Sequence, residues 1–195
     1  MSEVVKVKSL GEFEVSNGNG CLNDEILHSN MLKKLLMYLL LHRKTPVGVS
    51  ELSEALWMDE EVQNPGRALN NLVYRLRNIM KKQLGDDNYI ITGHGAYIWN
   101  REIPVSIDVE KFEEICKSKE KGASNEQMIA CYERAISLYG GNFLDSVFDV
   151  HWVVMRSTYY HSLYIEVIKK LCILYLSAGT FQELEKLCIT CLQNE

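Results

Sequence analysis

The sequence predicts an α+β domain followed by an all-α unit, and three observations carry that prediction. Apolar and polar residues alternate from residue 4 to residue 27 around the turn-forming string SNGNG (Ser16 to Gly20), the pattern of a small antiparallel sheet. A second alternating run, NYIITGHGAYIWN, folds back on Gly93-His94-Gly95 as a hairpin. From Asp108 onward only helical periodicity remains. A chain of 195 residues accommodates two small domains, 1–104 and 105–195, each with its own core.

Between the two alternating runs the spacing predicts three helices. SNMLKKLLMYLLLHRKT offers Ser29 or Asn30 as N-cap, a stripe through Leu32, Leu35, Leu36, Leu39 and Leu40, and basic residues in its last turn before Pro46. Ser50 caps a shorter helix, ELSEALW, which turns Leu52, Leu56 and Trp57 inward. The acidic loop MDEEVQ follows. Asn64 as cap and Pro65 at the first helical position then open a helix to Leu84, stopped by Gly85.

In the second half, DVEKFEEICKSKEKG, SNEQMIACYERAISLYGG, the segment from Val147 to Ala178 and the segment from Thr180 all read as helical. Gly122, Gly140-Gly141 and Gly179 act as stops. The helices run in pairs of roughly repeat length, compatible with a tetratricopeptide-like array. The last helix carries Phe181, Leu184, Leu187, Cys188, Cys191 and Leu192 as a stripe wide enough for more than one neighbour. A further helix of a longer regulator, a second copy in a homodimer or the preceding long helix is expected to cover it.

Composition narrows the function. With 47% hydrophobic and 24% charged residues the chain folds rather than staying disordered. No stretch approaches the roughly 18 apolar residues of a membrane span, and the N-terminus lacks a signal peptide's apolar region. A cytoplasmic protein without membrane contact is expected, and its six cysteines are expected as free thiols. Cys188 and Cys191 form a C-x-x-C with no second ligand pair, so core packing explains them better than zinc. No phosphate-loop, dinucleotide or catalytic-triad motif is present, and the five histidines are scattered. No enzyme activity, cofactor or metal is expected.

Net charge is −5, divided as −1 over residues 1–104 and −4 over 105–195, so bulk charge announces no nucleic-acid partner. The helix from Pro65 breaks that pattern. Between Val62 and Gly85 stand five basic residues and no acid. Successive 100° steps send Leu69, Leu72, Val73, Leu76 and Met80 to one side and Arg67, Asn70, Asn71, Tyr74, Asn78 and Lys81 to the other, flanked by Arg75, Arg77 and Lys82. A merely solvated helix mixes signs and gains from i,i+4 pairs; this one has no acid to pair with. Amides among bases suit duplex DNA, since Asn bonds adenine edges while Arg and Lys reach phosphate or guanine. The order helix, short helix, loop, basic helix, hairpin is that of a winged helix-turn-helix.

TPVGVSELSEALW, ALNNLVYRLRNIM and GHGAYIW resemble the DNA-binding domain of OmpR-type response regulators. They resemble still more the version in the SARP family of antibiotic regulatory proteins, through Pro46-Val47, Leu56-Trp57 and Leu76-Arg77. Asp108, Phe112, Ala135, Leu138, Gly140-Gly141, Phe143-Leu144, Trp152, Arg156 and Gly179 resemble that family's bacterial transcriptional activator domain, a tetratricopeptide-like helical module.

The resemblance implies an activator that lays helix 65–84 in the major groove of double-stranded DNA. Arg67, Asn70, Asn71 and Tyr74 would lie near bases or sugars, and Arg75, Arg77, Asn78, Lys81 and Lys82 near phosphates. It also implies an RNA polymerase contact from the loop holding Asp59, Glu60 and Glu61. The family's wing carries a basic residue after Gly-Tyr, whereas this chain has Ala96-Tyr97-Ile98, which leaves His94 as the wing's candidate DNA contact. The competing expectation is a protein- or effector-binding helical module whose winged helix no longer binds DNA.

Overall fold

The computed structural model describes residues 3–57, 62–118 and 124–193. They divide into two compact units. One comprises 1–7, 13–106 and 146–152, the other 8–12, 107–145 and 153–195. Each is described by itself.

In the first unit, β1 (Val5–Lys8), β2 (Glu14–Asn17) and β3 (Gly20–Asn23) form a sheet with β7 (Val105–Ile107), in the order β3-β2-β1-β7. Register at β2 and β3 runs from Glu14 opposite Asn23 to Asn17 opposite Gly20, leaving Gly18-Asn19 as the two-residue turn. The alternation was expected to continue to residue 27. Instead Asn23 accepts a hydrogen bond from the Ile26 N–H and caps one helical turn, α1 (Asp24–Leu27).

Helix α2 (Asn30–Leu41) starts on the Ser29 cap and buries all five leucines of its predicted stripe. It ends at Leu41, so His42, Arg43 and Lys44 lie past the helix rather than in its last turn. Burial goes further than the stripe, because Lys33 and Lys34 are only 2% and 3% exposed. Lys33 pairs with Asp24, donates to Ser146 Oγ at 2.5 Å and lies 5.4 Å from the centre of the Phe13 ring; Lys34 pairs with Asp149 at 2.5 Å. Charges this deep persist only when paired.

Helix α3 (Val49–Trp57) begins one residue before the predicted cap: Ser50 lies within it, and the Val49 N–H donates to the Gly95 carbonyl at 3.2 Å. Leu52 and Leu56 are buried, whereas Trp57 is half-buried, contrary to its expected place in the core. Helix α4 (Pro65–Leu84) has the predicted bounds, with the Asn64 side chain accepting from the Arg67 N–H at 3.0 Å. The hairpin is β5 (Ile90–Gly93) and β6 (Ala96–Trp99), and the two-residue β4 (Val47–Gly48) joins it in the order β4-β6-β5. Neither β4 nor β7 was anticipated.

The second unit holds α5 (Asp108–Lys117), α6 (Asn125–Leu138), most of α7 (His151–Ala178) and α8 (Phe181–Gln193). Helix α7 starts at His151 rather than Val147, and the predicted stop at Gly122 lies outside the described residues. Phe112, Tyr139, Phe143, Tyr160 and Tyr164 build an aromatic core in which Tyr139 stacks on Tyr164 at 4.0 Å. Residues 8–12 run beside it. The buried Asp108 carboxylate accepts from the Ser9 N–H (2.5 Å), Ser9 Oγ (2.7 Å), the Leu10 N–H (2.8 Å) and the Val109 N–H (2.7 Å). Gly11 there adopts φ +88°, and a Cβ on it would stand 2.6 Å from the Gly140 carbonyl oxygen.

Of the predicted stripe on α8, only Leu187 is buried; Phe181 is 66% and Leu192 74% exposed. Cys188 is likewise exposed and Cys191 half-buried, so the C-x-x-C is not core packing. The residue pattern led that reading astray because α8 turns a single apolar position inward. Burial pushes the Cys116 thiol up to about 12, so it stays protonated. Among the described residues no helix is long and apolar enough to cross a membrane, and no group of three His, Cys, Asp or Glu is placed to hold a metal ion.

Two stability tests follow from this burial. Asp108→Ala strands the Ser9 and Leu10 N–H groups, each worth about 1–3 kcal/mol when left unsatisfied. Urea unfolding should show a loss of roughly 3 kcal/mol, with Asp108→Asn intermediate. Leu56→Ala should cost about 2–5 kcal/mol, and the half-buried Trp57→Ala less than the roughly 3–5 kcal/mol of a fully buried aromatic.

Candidate nucleic-acid interface

Helix α4 is held from behind and open in front. Leu69, Val73, Leu76, Met80 and Leu84 are at most 1% exposed, while Leu72 is half-buried. Because the apolar stripe repeats at three and four residues, the residues between it must face away from the core. Arg67, Asn70, Asn71, Tyr74, Arg75, Asn78, Lys81 and Lys82 are all exposed, Tyr74 at 67%. The face extends about 30 Å for a helix of this length.

The C-terminus of α4 is anchored by one carbonyl. Leu84 O accepts from Asn17 Nδ2 at 2.8 Å, Asn19 Nδ2 at 3.0 Å and Tyr89 Oη at 2.8 Å. The string SNGNG, read from sequence as a plain hairpin turn, is therefore the helix's C-terminal clamp. Gly20 permits it, because a Cβ there would lie 2.3 Å from the Gln83 carbonyl oxygen.

Three predicted contacts have partners within the protein. Arg77 donates through Nε and Nη2 to the Ile90 carbonyl at 3.1 and 2.6 Å, and through Nη2 to Thr92 Oγ1 at 2.7 Å. That guanidinium ties α4 to β5, a role its sequence position among phosphate candidates did not suggest. Lys81 pairs with Asp86 at 2.6 Å, but both are well exposed and such a pair yields readily to a phosphate. Asn70 Oδ1 accepts from Tyr97 Oη at 2.5 Å. Tyr97, 3% exposed on β6, enters the sequence reading as a strand and wing residue and not as a partner of α4. Its strand alternation pointed inward, and only the fold brings its hydroxyl to α4. Burial raises the Tyr97 pKa, and the Arg77 guanidinium works against that rise.

The wing tip is His94-Gly95, with φ +50° and +74°, the geometry of a type I′ turn, and His94 is exposed there. Asp59, Glu60 and Glu61 lie outside the described residues.

Arg77→Ala should lower the melting temperature even without DNA, because it leaves the Ile90 carbonyl without its donors. Arg75→Ala, at an exposed site nearby, should leave it unchanged. Calorimetry on the two variants checks this.

Residues 23–96 match the family model described as "Transcriptional regulatory protein, C terminal". Among solved structures, the fold is similar to that of Mycobacterium tuberculosis EmbR, determined in complex with a low affinity phosphopeptide. The TM-score is 0.71 at 16% identity, over 96% of this chain and 51% of that one. The chain thus spans about half the length of EmbR. No curated protein matches the sequence. Residues 23–96 are accordingly similar to the C-terminal part of transcriptional regulatory proteins and are built as a winged helix, and the chain as a whole shares the fold of the matched half of EmbR.

Proposed function

We propose that the chain is a sequence-specific transcriptional activator that lays α4 in the major groove of duplex DNA. The observation carrying this is the outer face of α4, which combines bases and amides, contains no acid, and stands free of the core. Arg67, Asn70, Asn71 and Tyr74, toward the N-terminal end, approach base edges and sugars. Arg75, Asn78, Lys81 and Lys82 meet phosphates, and His94 approaches the adjacent minor groove from the wing tip. Asp59, Glu60 and Glu61 supply an acidic contact to RNA polymerase. We also propose that the helical unit, with a tetratricopeptide-like succession of helices, mediates homodimerisation. Ile173 and Leu176 of α7 and Phe181, Ile189 and Leu192 of α8 leave apolar surface exposed, and a dimer would suit repeated half-sites. A cytoplasmic location follows from this reading.

Selection of genomic fragments at low salt should enrich a defined sequence, and no enrichment over random duplex would refute sequence-specific binding. Lys82→Ala should weaken all sequences alike and reduce the slope of log K against log[salt] by about one. For the dimer, sedimentation across a concentration series should show a monomer becoming a dimer, with Leu192→Glu remaining monomeric.

The second reading is a helical module that binds a peptide or effector without DNA. It is favoured by an open cleft of about 390 Å³ among α6, α7 and α8, lined by Ile136, Leu171, Tyr175, Lys186 and Leu187. Absence of duplex binding even at low salt would select it.

A further inference from the structure

We infer that Tyr97 is a positioning residue that sets the base preference of Asn70, by holding the Asn70 side-chain oxygen so that only its NH2 group faces the DNA. The inference rests on the DNA-binding reading and deepens it.

The geometry begins with the 2.5 Å contact between Tyr97 Oη and Asn70 Oδ1. A separation this short suits O–H···O, whose usual distance is about 2.7–2.8 Å, better than N–H···O at about 2.9–3.0 Å. The amide oxygen, rather than its nitrogen, therefore faces the tyrosine. The neighbouring Arg77 guanidinium favours the same direction, since a nearby positive charge makes a phenol the better donor. Arg77 is itself fixed by Ile90 O and Thr92 Oγ1, and Tyr97 stands on β6 of the same hairpin, so the donor to Asn70 and the charge that acts on it are both anchored there. Tyr97 is 3% exposed, and its hydroxyl acts through Asn70.

An amide is planar, so fixing the oxygen fixes the NH2 group on the opposite side. A free Asn recognises adenine in the major groove with both atoms, its oxygen accepting from N6 and its nitrogen donating to N7. Asn70 has its oxygen turned to the hairpin with one of its two lone pairs taken by Tyr97, so what it offers outward is the NH2 donors. Donors alone match the acceptors O6 and N7 of guanine or O4 of thymine, and forfeit half of the adenine pairing. The sequence reading, in which Asn70 suits adenine, is thereby altered by a residue on a different element.

The experiment is binding-site selection with the full chain, comparing wild type, Tyr97→Phe, Asn70→Ala and the double variant. Wild type should prefer guanine or thymine over adenine at one position by about fivefold or more. Tyr97→Phe removes only the hydroxyl, and should bring adenine to about parity at that position while leaving the other positions and the salt slope unchanged. Asn70→Ala should erase the preference there, and adding Tyr97→Phe to it should change nothing further. An unchanged profile in Tyr97→Phe, or a loss of preference at every position together with a lower melting temperature, overturns the proposal.

A DNA-free measurement separates this inference from the reading beneath it. By ¹⁵N relaxation the Asn70 side-chain NH2 should be rigid in wild type and mobile in Tyr97→Phe, and equal mobility overturns the proposal. If the mobility differs but wild type enriches no sequence, the DNA-binding reading fails and takes the base preference with it, while the hold of Tyr97 on Asn70 stands.

Discussion

A helix that offers an acid-free basic face must be restrained from the opposite side, and the first unit is arranged around that restraint of α4. Burial of Leu69, Val73, Leu76, Met80 and Leu84 fixes its rotation, because a helix with one apolar stripe has one orientation that removes the stripe from water. Arg77 fixes it against β5, and the Leu84 carbonyl, with its three donors, fixes its end. These interactions differ in kind. Apolar burial is insensitive to salt, and the hydrogen bonds are directional, so a salt-dependent partner on the outer face does not compete with what holds the inner one. The β2–β3 turn and the β5–β6 hairpin, far apart in sequence, thus serve one helix.

The polar groups that are buried follow the same logic elsewhere. Asp108 collects two backbone N–H groups from residues 8–12 and one from its own helix, which makes a nine-tenths buried carboxylate tolerable. Lys33 and Lys34 sit on the side of α2 that a polar-outside pattern would assign to solvent, and each is matched by a carboxylate. Paired charges of this sort contribute little net stability compared with apolar replacements, but removing one partner is costly. They act as a specification of which segments belong together.

How much of this was legible depended on the range of the determining interaction. The bounds of α4 were readable because Asn64, Pro65 and Gly85 act within one turn of themselves. The hairpin was readable because alternation and Gly93-His94-Gly95 are both local. Strands β4 and β7, two and three residues long, exist only through distant pairing and leave no periodic trace. Asp24–Leu27 became helical because Asn23 caps it, a competition between strand alternation and capping that the pattern alone does not decide. At the candidate interface the outer-face residues followed from 100° geometry, whereas the partners of Arg77 and Asn70 lie 13 and 27 residues away and needed the fold. Trp57 and Cys188 show the reverse error, where residue type suggested burial that the packing does not supply.

The discontinuous division of the chain bears on how its halves could be separated. The change in periodicity points to a cut after residue 106, yet such a cut removes residues 146–152 from the unit that contains Lys33 and Lys34. The Lys33 ammonium would then lose Ser146 and the Lys34 ammonium its carboxylate, Asp149, along with the segment that covers them. The complementary piece would lose residues 8–12 and leave Asp108 without Ser9 and Leu10. Circular permutation or a flexible graft that restores each short segment is the physically consistent way to isolate either half, and a simple truncation would report on a damaged core rather than on an independent module.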